Sequence, residues 1–190
     1  MNSVADITEA AQYLTFSLGE EKFAVDVSKV NGISEVMKIT RVPKSPEFMM
    51  GVVNLRGSAL PVADLRLRLG MESVEQTIDS CIVVLEIAMD GDGEETVFLG
   101  TLVDSVEEVV DMEPGDIEPP PRMGTRLRTE FIKGMGRHDE GFVIILDIDR
   151  IFTTEELVLM QDAEDVKPKP AGKTPAKKKG TKDPEAVEAK

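Results

Sequence analysis

Residues 51–70 read GVVNLRGSALPVADLRLRLG. Two short apolar runs flank a polar tip at residues 54–58, which is the pattern of a tight connection between two buried strands. Gly57 supplies the backbone freedom that the chain reversal needs. Residues 64–69 then predict a short helical turn that Gly70 ends. The stretch therefore predicts a β-hairpin followed by one helical turn, and the rest of the chain is interpreted around it.

The polar tip carries one charged side chain, Arg56, which is the only one between Glu47 and Asp64. Loops are usually polar because they are solvated, so the simplest interpretation of Arg56 is a solvated turn charge. The alternative is a planar cationic donor at a recognition surface. The residues around the tip leave both interpretations open.

The composition predicts an aliphatic, β-rich protein in a reducing compartment. Of the 190 residues, 41% are hydrophobic, only 4% are aromatic and none is Trp. Val and Ile, which make up much of this apolar content, suit β-structure. One Cys and one His exclude an internal disulfide and a cysteine zinc site. A reducing, cytoplasmic setting follows as the default.

Nothing in the sequence predicts secretion or membrane insertion. Residues 1–11 carry acidic side chains where a signal peptide would be positively charged, and they lack an apolar core segment. The longest apolar run, residues 81–89, is interrupted by Glu86 and is far below the ~20 residues that span a bilayer. We therefore expect a soluble chain.

The net charge of −14 at pH 7 is unevenly distributed. Residues 164–190 contain eight Lys and five acidic residues, so residues 1–163 carry a net charge of −17. A body of that sign repels phosphate backbones, and we expect no nucleic-acid binding. The Lys- and Pro-rich tail favours an inert solubilising linker, with a weak contact to acidic partners as the alternative.

The sequence divides into a flexible arm at residues 1–12, a folded region at 13–161 and a disordered tail at 162–190. Alternating apolar residues predict β-hairpins at residues 13–27 and 81–104. These two hairpins frame the central stretch on either side.

Further elements follow from apolar patterns and turn residues. Residues 30–39 predict an extended segment, residues 113–124 a Pro- and Gly-rich loop, and residues 131–151 two more strands. Thr153 and Glu156 have the spacing of a capping box, which predicts a terminal helix of about two turns ending at Gln161.

The chain contains an internal repeat. Phe48-x-x-Gly51 recurs as Phe131-x-x-Gly134, and residues 61–65 recur as 144–148, both at an offset of 83. At an offset of 78, Val25-Asp26 recurs as Val103-Asp104. Each half therefore has a hairpin, an extended segment, a Pro-containing loop and a second hairpin. This order predicts two similar all-β lobes, each a small closed barrel.

The repeat distinguishes residues that both halves share, which are expected to be structural, from residues that differ between the halves. Asp64 and Asp147 occupy equivalent positions, so we interpret them as structural residues that cap the turn after a strand. The hairpin tips differ, with residues 54–57 in one half and residues 136–141 in the other. Function is therefore expected at the tips, although drift of a surface loop would give the same pattern.

The sequence offers no catalytic, cofactor or metal site. His138 stands among charged residues on a predicted turn, which favours a surface side chain over a catalyst. Cys81 begins an apolar run and is interpreted as a small buried hydrophobe. The acidic segment at residues 90–95 lacks the ligand pattern of a calcium loop. Adjacent acids, as at Glu107-Glu108, diverge and suggest no dyad. The chain is predicted to be non-catalytic.

Several motifs together resemble the CheW-like domain family of bacterial chemotaxis coupling proteins, over roughly residues 13–161. They are YLTFSLG at 13–19, Pro43, GVVNLRG at 51–57, PVADLR at 61–66 and GMG at 134–136. The resemblance implies two five-stranded SH3-like β-barrel lobes, to which the sequence adds the predicted short C-terminal helix and the disordered tail. It also implies a cytoplasmic adaptor, a monomer when free, that couples chemoreceptor tips to the histidine kinase CheA.

The resemblance assigns residues to two kinds of contact. A receptor-binding groove, in which an apolar cleft accepts a helical hairpin tip, would involve Val30, Gly51, Arg56, Cys81 and Val109. Kinase contacts would involve Ile39 and Met50 in the first barrel and, in a second contact that closes receptor–kinase rings, Glu118, Arg122 and Met123. Two departures from the family pattern affect these assignments. Gly32 replaces a common Glu, and Glu118 with Arg122 reverses a usual order of charges.

The leading hypothesis is thus a non-catalytic chemotaxis adaptor, since the resemblance gives Arg56 a recognition role. A second hypothesis within the family is an adaptor of a non-flagellar system that controls pilus motility or second-messenger output. From a different class, a small hydrolase or metal-dependent enzyme would be centred on His138 and its acidic neighbours. No base, nucleophile or ligand set can be assembled from the sequence for that last hypothesis.

Overall fold

A computed structural model describes residue 4 and residues 7–89, 94–121 and 128–164. Strands predominate in this part of the chain, which confirms the all-β class with short helices. In chain order the strands are β1 Ala11–Leu18, β2 Glu21–Asp26, β3 Val30–Glu35, β4 Met49–Leu55, β5 Ser58–Asp64, β6 Cys81–Ala88, β7 Thr96–Val103, β8 Ser105–Met112, β9 Ile117–Glu118, β10 Ile132–His138 and β11 Gly141–Leu146. The helices are α1 Leu65–Arg68, α2 Ile148–Ile151 and α3 Thr154–Glu164. None of these helices is both long enough and apolar enough to cross a membrane.

The predicted hairpins are confirmed as β1–β2, β4–β5 and β6–β7. The helical turn after the central hairpin is confirmed as α1, where the Asp64 side chain accepts a hydrogen bond from the Arg66 backbone N–H at 2.9 Å. Gly70 ends this turn with a φ of +83°. The local signals in residues 51–70 therefore determine both elements.

The terminal helix begins as the capping box predicts and ends later. The Thr153 N–H donates to the Glu156 carboxylate at 2.8 Å, and the Glu156 N–H donates to Thr153 Oγ1 at 3.2 Å. α3 continues past Gln161 because residues 162–164 contain no Gly or Pro to stop it. The tail from residue 165 onward lies outside the described residues.

The predicted loop at residues 113–124 contains two elements that the sequence did not reveal. A 3-10 turn covers Pro114–Asp116, and β9 follows it at Ile117–Glu118. A strand of two residues is too short to show a hydrophobic period, so the prediction of a plain loop was wrong here.

The strands form two sheets of similar design. One sheet has five strands in the order β3-β6-β7-β5-β4. The other has six strands in the order β8-β1-β2-β11-β10-β9. The short β9 is therefore a sixth strand in addition to the five that were expected. Across each sheet, an outer extended strand, β3 or β8, lies next to one hairpin, and a second hairpin lies beyond it. The predicted likeness of the two lobes is confirmed.

The two lobes do not correspond to the two halves of the sequence. The first hairpin, β1–β2, lies in the sheet built from the second half, whereas β6–β7 lies in the sheet built from the first half. Within each sheet, a pair of parallel strands connects a hairpin of one half to a hairpin of the other. Ala24 of β2 lies opposite Ile145 of β11, and Ala63 of β5 lies opposite Thr101 of β7. The halves have thus exchanged their first hairpins, which the order of elements alone could not show.

Each sheet closes on itself through the segment that follows its outer strand. Thr40, after β3, exchanges two backbone hydrogen bonds of 2.8 Å with Val52 of β4. Glu118 of β9, after β8, lies opposite Met135 of β10. Because both closures bring the segment after one outer strand, β3 or β8, against a strand at the opposite side of the sheet, β4 or β10, each lobe fits the expected SH3-like barrel.

The repeat at an offset of 83 is confirmed by matching backbone hydrogen bonds. The Asp64 N–H donates to the Phe48 carbonyl at 2.7 Å, and the Asp147 N–H donates to the Phe131 carbonyl at 2.8 Å. Asp147 precedes α2, but its side chain makes no capping hydrogen bond. Instead it lies 3.4 Å from the Arg150 guanidinium, and its burial raises the pKa of the carboxyl. The capping role predicted for both residues therefore holds for Asp64 only.

The largest hydrophobic core lies between the two sheets, and each lobe has a smaller core of its own. The central core draws on both sheets and all three helices, and includes Phe16, Phe23, Leu65, Leu85 and Ile151. Burial between sheets rather than within one lobe makes the lobes interdependent. We therefore treat them as one folding unit.

Arg68 of α1 joins the helices at this interface. Its guanidinium lies 5.2 Å from the ring centres of Phe48 and Phe131 and 5.7 Å from that of Phe152. It also donates to the Ile151 carbonyl and, at 3.0 Å, to the Glu156 carboxylate. The Arg68 guanidinium can be buried because it stacks on aromatic rings and its Nε and one terminal nitrogen both donate hydrogen bonds.

A second ion pair links the two sheets. Arg66 of α1 donates to Asp104, which follows β7, and the Gly19 N–H of the β1–β2 turn donates to the same carboxylate at 2.7 Å. Partial burial raises the pKa of the Asp104 carboxyl, but the hydrogen bonds from Arg66 and Gly19 outweigh it and hold the pKa below its ordinary value. The charged form of Asp104 therefore stabilises the fold.

Gly51 is required by the closure of the first barrel. Its φ is +142°, and a Cβ at this position would lie 2.1 Å from the Thr40 carbonyl oxygen. We expect Gly51→Ala to lower the free energy of unfolding by about 2 kcal/mol or more, because backbone cannot move aside cheaply. Urea denaturation measures this effect. Gly32→Ala is the matched control, since a Cβ there meets no atom within 4 Å. Equal losses for the two variants would contradict the interpretation.

The Asp104 link predicts a pH dependence. An acid whose pKa is lower in the folded chain stabilises it above the unfolded pKa of about 4, and that contribution is lost as the pH falls through the folded value. At pH 6 we expect Asp104→Asn to be less stable by about 1–3 kcal/mol. The difference from the wild type should shrink below about pH 4, as measured by urea denaturation over a pH series. A difference that stays constant with pH would contradict this prediction.

Candidate functional site

The tip of the β4–β5 hairpin presents Arg56 to solvent on a constrained backbone. Arg56 and Gly57 have φ values of +53° and +90°, as in a type I′ turn. The Gly57 N–H donates to the Asn54 side chain at 2.9 Å. Within the described residues, the Arg56 side chain has neither a hydrogen bond nor an ion pair. A left-handed conformation costs a non-Gly residue roughly 1 kcal/mol, so Arg56 is not favoured by the turn itself.

The corresponding tip of the second half has a similar backbone and different side chains. It is a two-residue turn at Asp139 and Glu140, and Asp139 has a φ of +51° at the position equivalent to Arg56. Residues 136–138 belong to β10 rather than to the tip, so the predicted loop at 136–141 is shorter than expected. The two halves therefore share the same backbone conformation up to and including the turn, and only the side chains of the turn differ.

Four of the residues expected in the receptor groove lie on strands of two sheets, and Arg56 lies on the β4–β5 turn. Val30 begins β3 and Cys81 begins β6, and both are half-buried against the central core. The Cys81 thiol donates to the Asp79 carbonyl at 3.2 Å. Val109 lies on β8 of the other sheet and is 50% exposed. Gly51 is buried, so it can act only through its backbone. Val30 and Cys81 thus border the core between the sheets, and Val109 exposes apolar surface on the other sheet.

Ile39 and Met50, expected at a kinase contact, are brought together. They line one cavity of about 490 Å³ beside the Thr40–Val52 closure. Arg41 and Glu47 place opposite charges on its wall. Asp64, Leu67, Ser73 and Gln76 also line the cavity, although Asp64 and Leu67 were expected only as parts of the scaffold and Ser73 and Gln76 carried no expectation. Asp64 and Leu67 lie within the central stretch, and Ser73 and Gln76 follow shortly after it.

The residues expected at the second kinase contact are described in part. Glu118 lies on β9 and forms an ion pair with Arg137 of β10. Arg122 and Met123 lie outside the described residues. The Glu118 carboxylate is 43% exposed, so a further partner can still reach it.

Two side chains could have supported nucleophilic chemistry, and the fold separates them. Cys81 lies in the five-stranded sheet and His138 in the six-stranded sheet. His138 instead lies 3.1 Å from the Glu108 carboxylate and 3.4 Å from that of Asp139. The arrangement offers binding surfaces on rigid strands rather than a thiol–imidazole pair.

Comparisons with known proteins agree with this geometry. Residues 12–156 match the sequence model of the CheW-like domain. The chain is 31% identical to "Chemotaxis protein CheW" of Klebsiella aerogenes, over 85% of this chain and 93% of that protein. It is 32% identical to "Chemotaxis protein CheW" of Thermotoga maritima, over 85% of this chain and 99% of that protein.

A solved structure gives the same result for the fold. The crystal structure of the scaffolding protein TtCheW from Thermoanaerobacter tengcongensis aligns with a TM-score of 0.66 and 34% identity. The alignment covers 75% of this chain and 92% of that one. Because the domain match covers most of the sequence and both relatives match nearly over their whole length, the chain belongs to the CheW-like domain family.

Proposed function

We propose that this chain is a non-catalytic, cytoplasmic chemotaxis adaptor that couples the cytoplasmic tips of chemoreceptors to the histidine kinase CheA. The observation that carries this proposal is the Arg56 tip, where an exposed guanidinium is held on a left-handed backbone that would suit Gly better. The name of the solved relative, a scaffolding protein, supports a role in assembly. The acidic body of residues 1–163 argues against nucleic acid as the partner.

The receptor surface in this proposal runs from the Arg56 tip along the region between the sheets. Val30 and Cys81 supply half-buried apolar surface at its floor, and Val109 supplies exposed apolar surface from the other sheet. A helical hairpin can place apolar side chains in such a groove, and the Arg56 guanidinium at its rim can pair with carboxylates. Gly51 contributes by shaping β4 rather than by contact.

The kinase surface in this proposal is the cavity that Ile39 and Met50 line. It lies beside the barrel closure, and its charged wall residues Arg41 and Glu47 can orient a partner. Glu118, with Arg122 and Met123, would form the separate contact that closes receptor–kinase rings. Two separate surfaces on one rigid unit would allow receptor and kinase to bind together.

The receptor proposal is tested by changing the Arg56 side chain without disturbing the turn. We expect Arg56→Glu to weaken binding of a receptor cytoplasmic fragment at least about tenfold, since a charge reversal removes the ion pair and adds repulsion. Arg56→Gly should also weaken binding while keeping or raising stability, because Gly suits the left-handed turn. Titration calorimetry with the fragment measures the affinity.

Arg128→Glu serves as the control for net charge, because Arg128 is an exposed arginine far along the chain from the tip, with 65% of its side chain accessible. Its affinity for the receptor fragment should equal that of the wild type. Unchanged affinity in both Arg56 variants, with thermal melts that show intact folding, would overturn the receptor proposal.

The kinase proposal is tested at the cavity. We expect Ile39→Ala and Met50→Ala to weaken binding of the CheA regulatory domain severalfold or more, since truncating a central apolar contact costs about 1 kcal/mol or more. Binding of the receptor fragment should remain unchanged. Ile33→Ala is the matched control because Ile33 is 49% exposed on β3 of the same sheet and does not line the cavity. Loss of kinase binding in Ile33→Ala alone would place the contact elsewhere.

A further inference from the structure

Three possible metal ligands meet at the rim of the six-stranded barrel. His138 Nε2 lies 3.1 Å from Glu108 Oε1 and 3.4 Å from Asp139 Oδ2. One donor atom from each residue lies within 4.8 Å of the other two. The imidazole is only 18% exposed, whereas the carboxylates are 58% and 78% exposed. The nitrogen donor is thus held against the protein, and the oxygen donors leave an approach from solvent.

A β-bulge positions Glu108. Between the partners Leu14 opposite Val109 and Phe16 opposite Val106, two residues of β8 face the single residue Thr15 of β1. The buried Thr15 hydroxyl donates to the Glu108 carbonyl at 2.9 Å and accepts from the Glu108 N–H at 3.2 Å. The backbone that carries this carboxylate is therefore fixed on both sides.

Barrel closure brings the other two residues to Glu108. His138 is the last residue of β10, and Asp139 is the first residue of the following turn with its φ of +51°. β8 and β10 are separated by three strands in the sheet order, so flat packing would keep these side chains apart. The donors meet only because the sheet curves round on itself.

The nearby Lys22 pairs with Glu107, so the carboxylates of Glu108 and Asp139 can still bind a cation. Glu107 is already engaged, since its carboxylate accepts from the Ser17 hydroxyl at 2.6 Å and pairs with Lys22 Nζ at 2.9 Å. Its hydrogen bond and charge raise the pKa of Lys22, with smaller contributions from Asp139 and Glu108. With a neutral imidazole, these three acids and one lysine carry a net charge of −2. Such a field attracts a divalent cation.

The donor set and its spacing match a particular class of ion. We propose that Glu108, His138 and Asp139 bind a zinc-class divalent cation through Oε1, Nε2 and Oδ2. Ligands held at about 2.0–2.2 Å from zinc lie roughly 3.0–3.6 Å from one another, and the Nε2 distances of 3.1 Å and 3.4 Å fall in that range. One imidazole nitrogen and two carboxylate oxygens suit zinc, whereas an all-oxygen set would favour calcium or magnesium. A proton on Nε2 can point at one carboxylate, but a metal ion can accept all three donors, with water completing its shell.

A cation at this position would join β8 to β10, the strands on either side of the barrel's seam. Binding to the folded state alone raises the melting temperature by mass action. The ion would also lie one residue from Val109. The metal-site proposal does not depend on the proposed receptor or kinase contacts, so the zinc experiment can fail or succeed whatever those contacts prove to be.

The test uses the full chain without a histidine tag, in a buffer free of phosphate and chelators. Titration calorimetry with ZnCl₂ should give one ion per chain, and ZnCl₂ should raise the melting temperature. His138→Gln and Glu108→Gln should each weaken binding at least about tenfold, because loss of even an outer-shell group costs 10- to 100-fold. The chain has a single histidine, so shifted imidazole resonances on adding ZnCl₂ report on His138 directly.

Two variants provide matched controls. Glu107→Gln removes the neighbouring acid of the same bulge, and Cys81→Ser removes the one thiol of the chain. Both should retain zinc binding within a few-fold of the wild type. Absence of binding at millimolar ZnCl₂, or equal binding in folded His138→Gln, would overturn the proposal. Loss of binding in Cys81→Ser with retention in His138→Gln would place the ion at the thiol and would also overturn it.

Discussion

Two parallel strand pairs, β2 with β11 and β5 with β7, hold the architecture together. Each pair joins a hairpin from one half of the sequence to a hairpin from the other, so neither half can complete a sheet alone. The central core is shared in the same way, since both sheets and all three helices bury side chains in it. Such long-range pairing makes folding of one lobe conditional on the other, and the two surfaces proposed for partners are therefore held in fixed relation.

Charged groups at the joint reinforce this constraint. Arg68 is enclosed by three aromatic rings where the three helices meet, and the Arg66–Asp104 ion pair reaches the turn of the first hairpin. Both arginines come from α1, the short helix that follows the central hairpin. The stretch at residues 51–70 therefore supplies the Arg56 tip, the Gly51 closure and both interfacial cations. This one stretch thus contributes to both the closure of a barrel and the joint between the sheets.

The duplicated design separates a common backbone from different surface chemistry. Arg56 and Asp139 occupy the same left-handed turn position, and both barrels close through a segment that follows the outer strand. One tip presents a single guanidinium, whereas the other gathers an imidazole and carboxylates. A pseudo-symmetric scaffold can thus present two different sets of side chains without any change in its hydrogen-bonded framework.

Local sequence signals were enough to predict the hairpins, α1 and its Asp64 cap, the capping box at Thr153, the similarity of the halves and, through the motifs, the family. These follow from local periodicity, turn chemistry and capping, which act over a few residues. Four features became visible only in three dimensions: the exchange of hairpins, the cavity at Ile39 and Met50, the enclosure of Arg68 and the contact of Glu108 with His138. Residues that are far apart in sequence leave no spacing to detect, and barrel closure and parallel pairing alone bring them within contact distance.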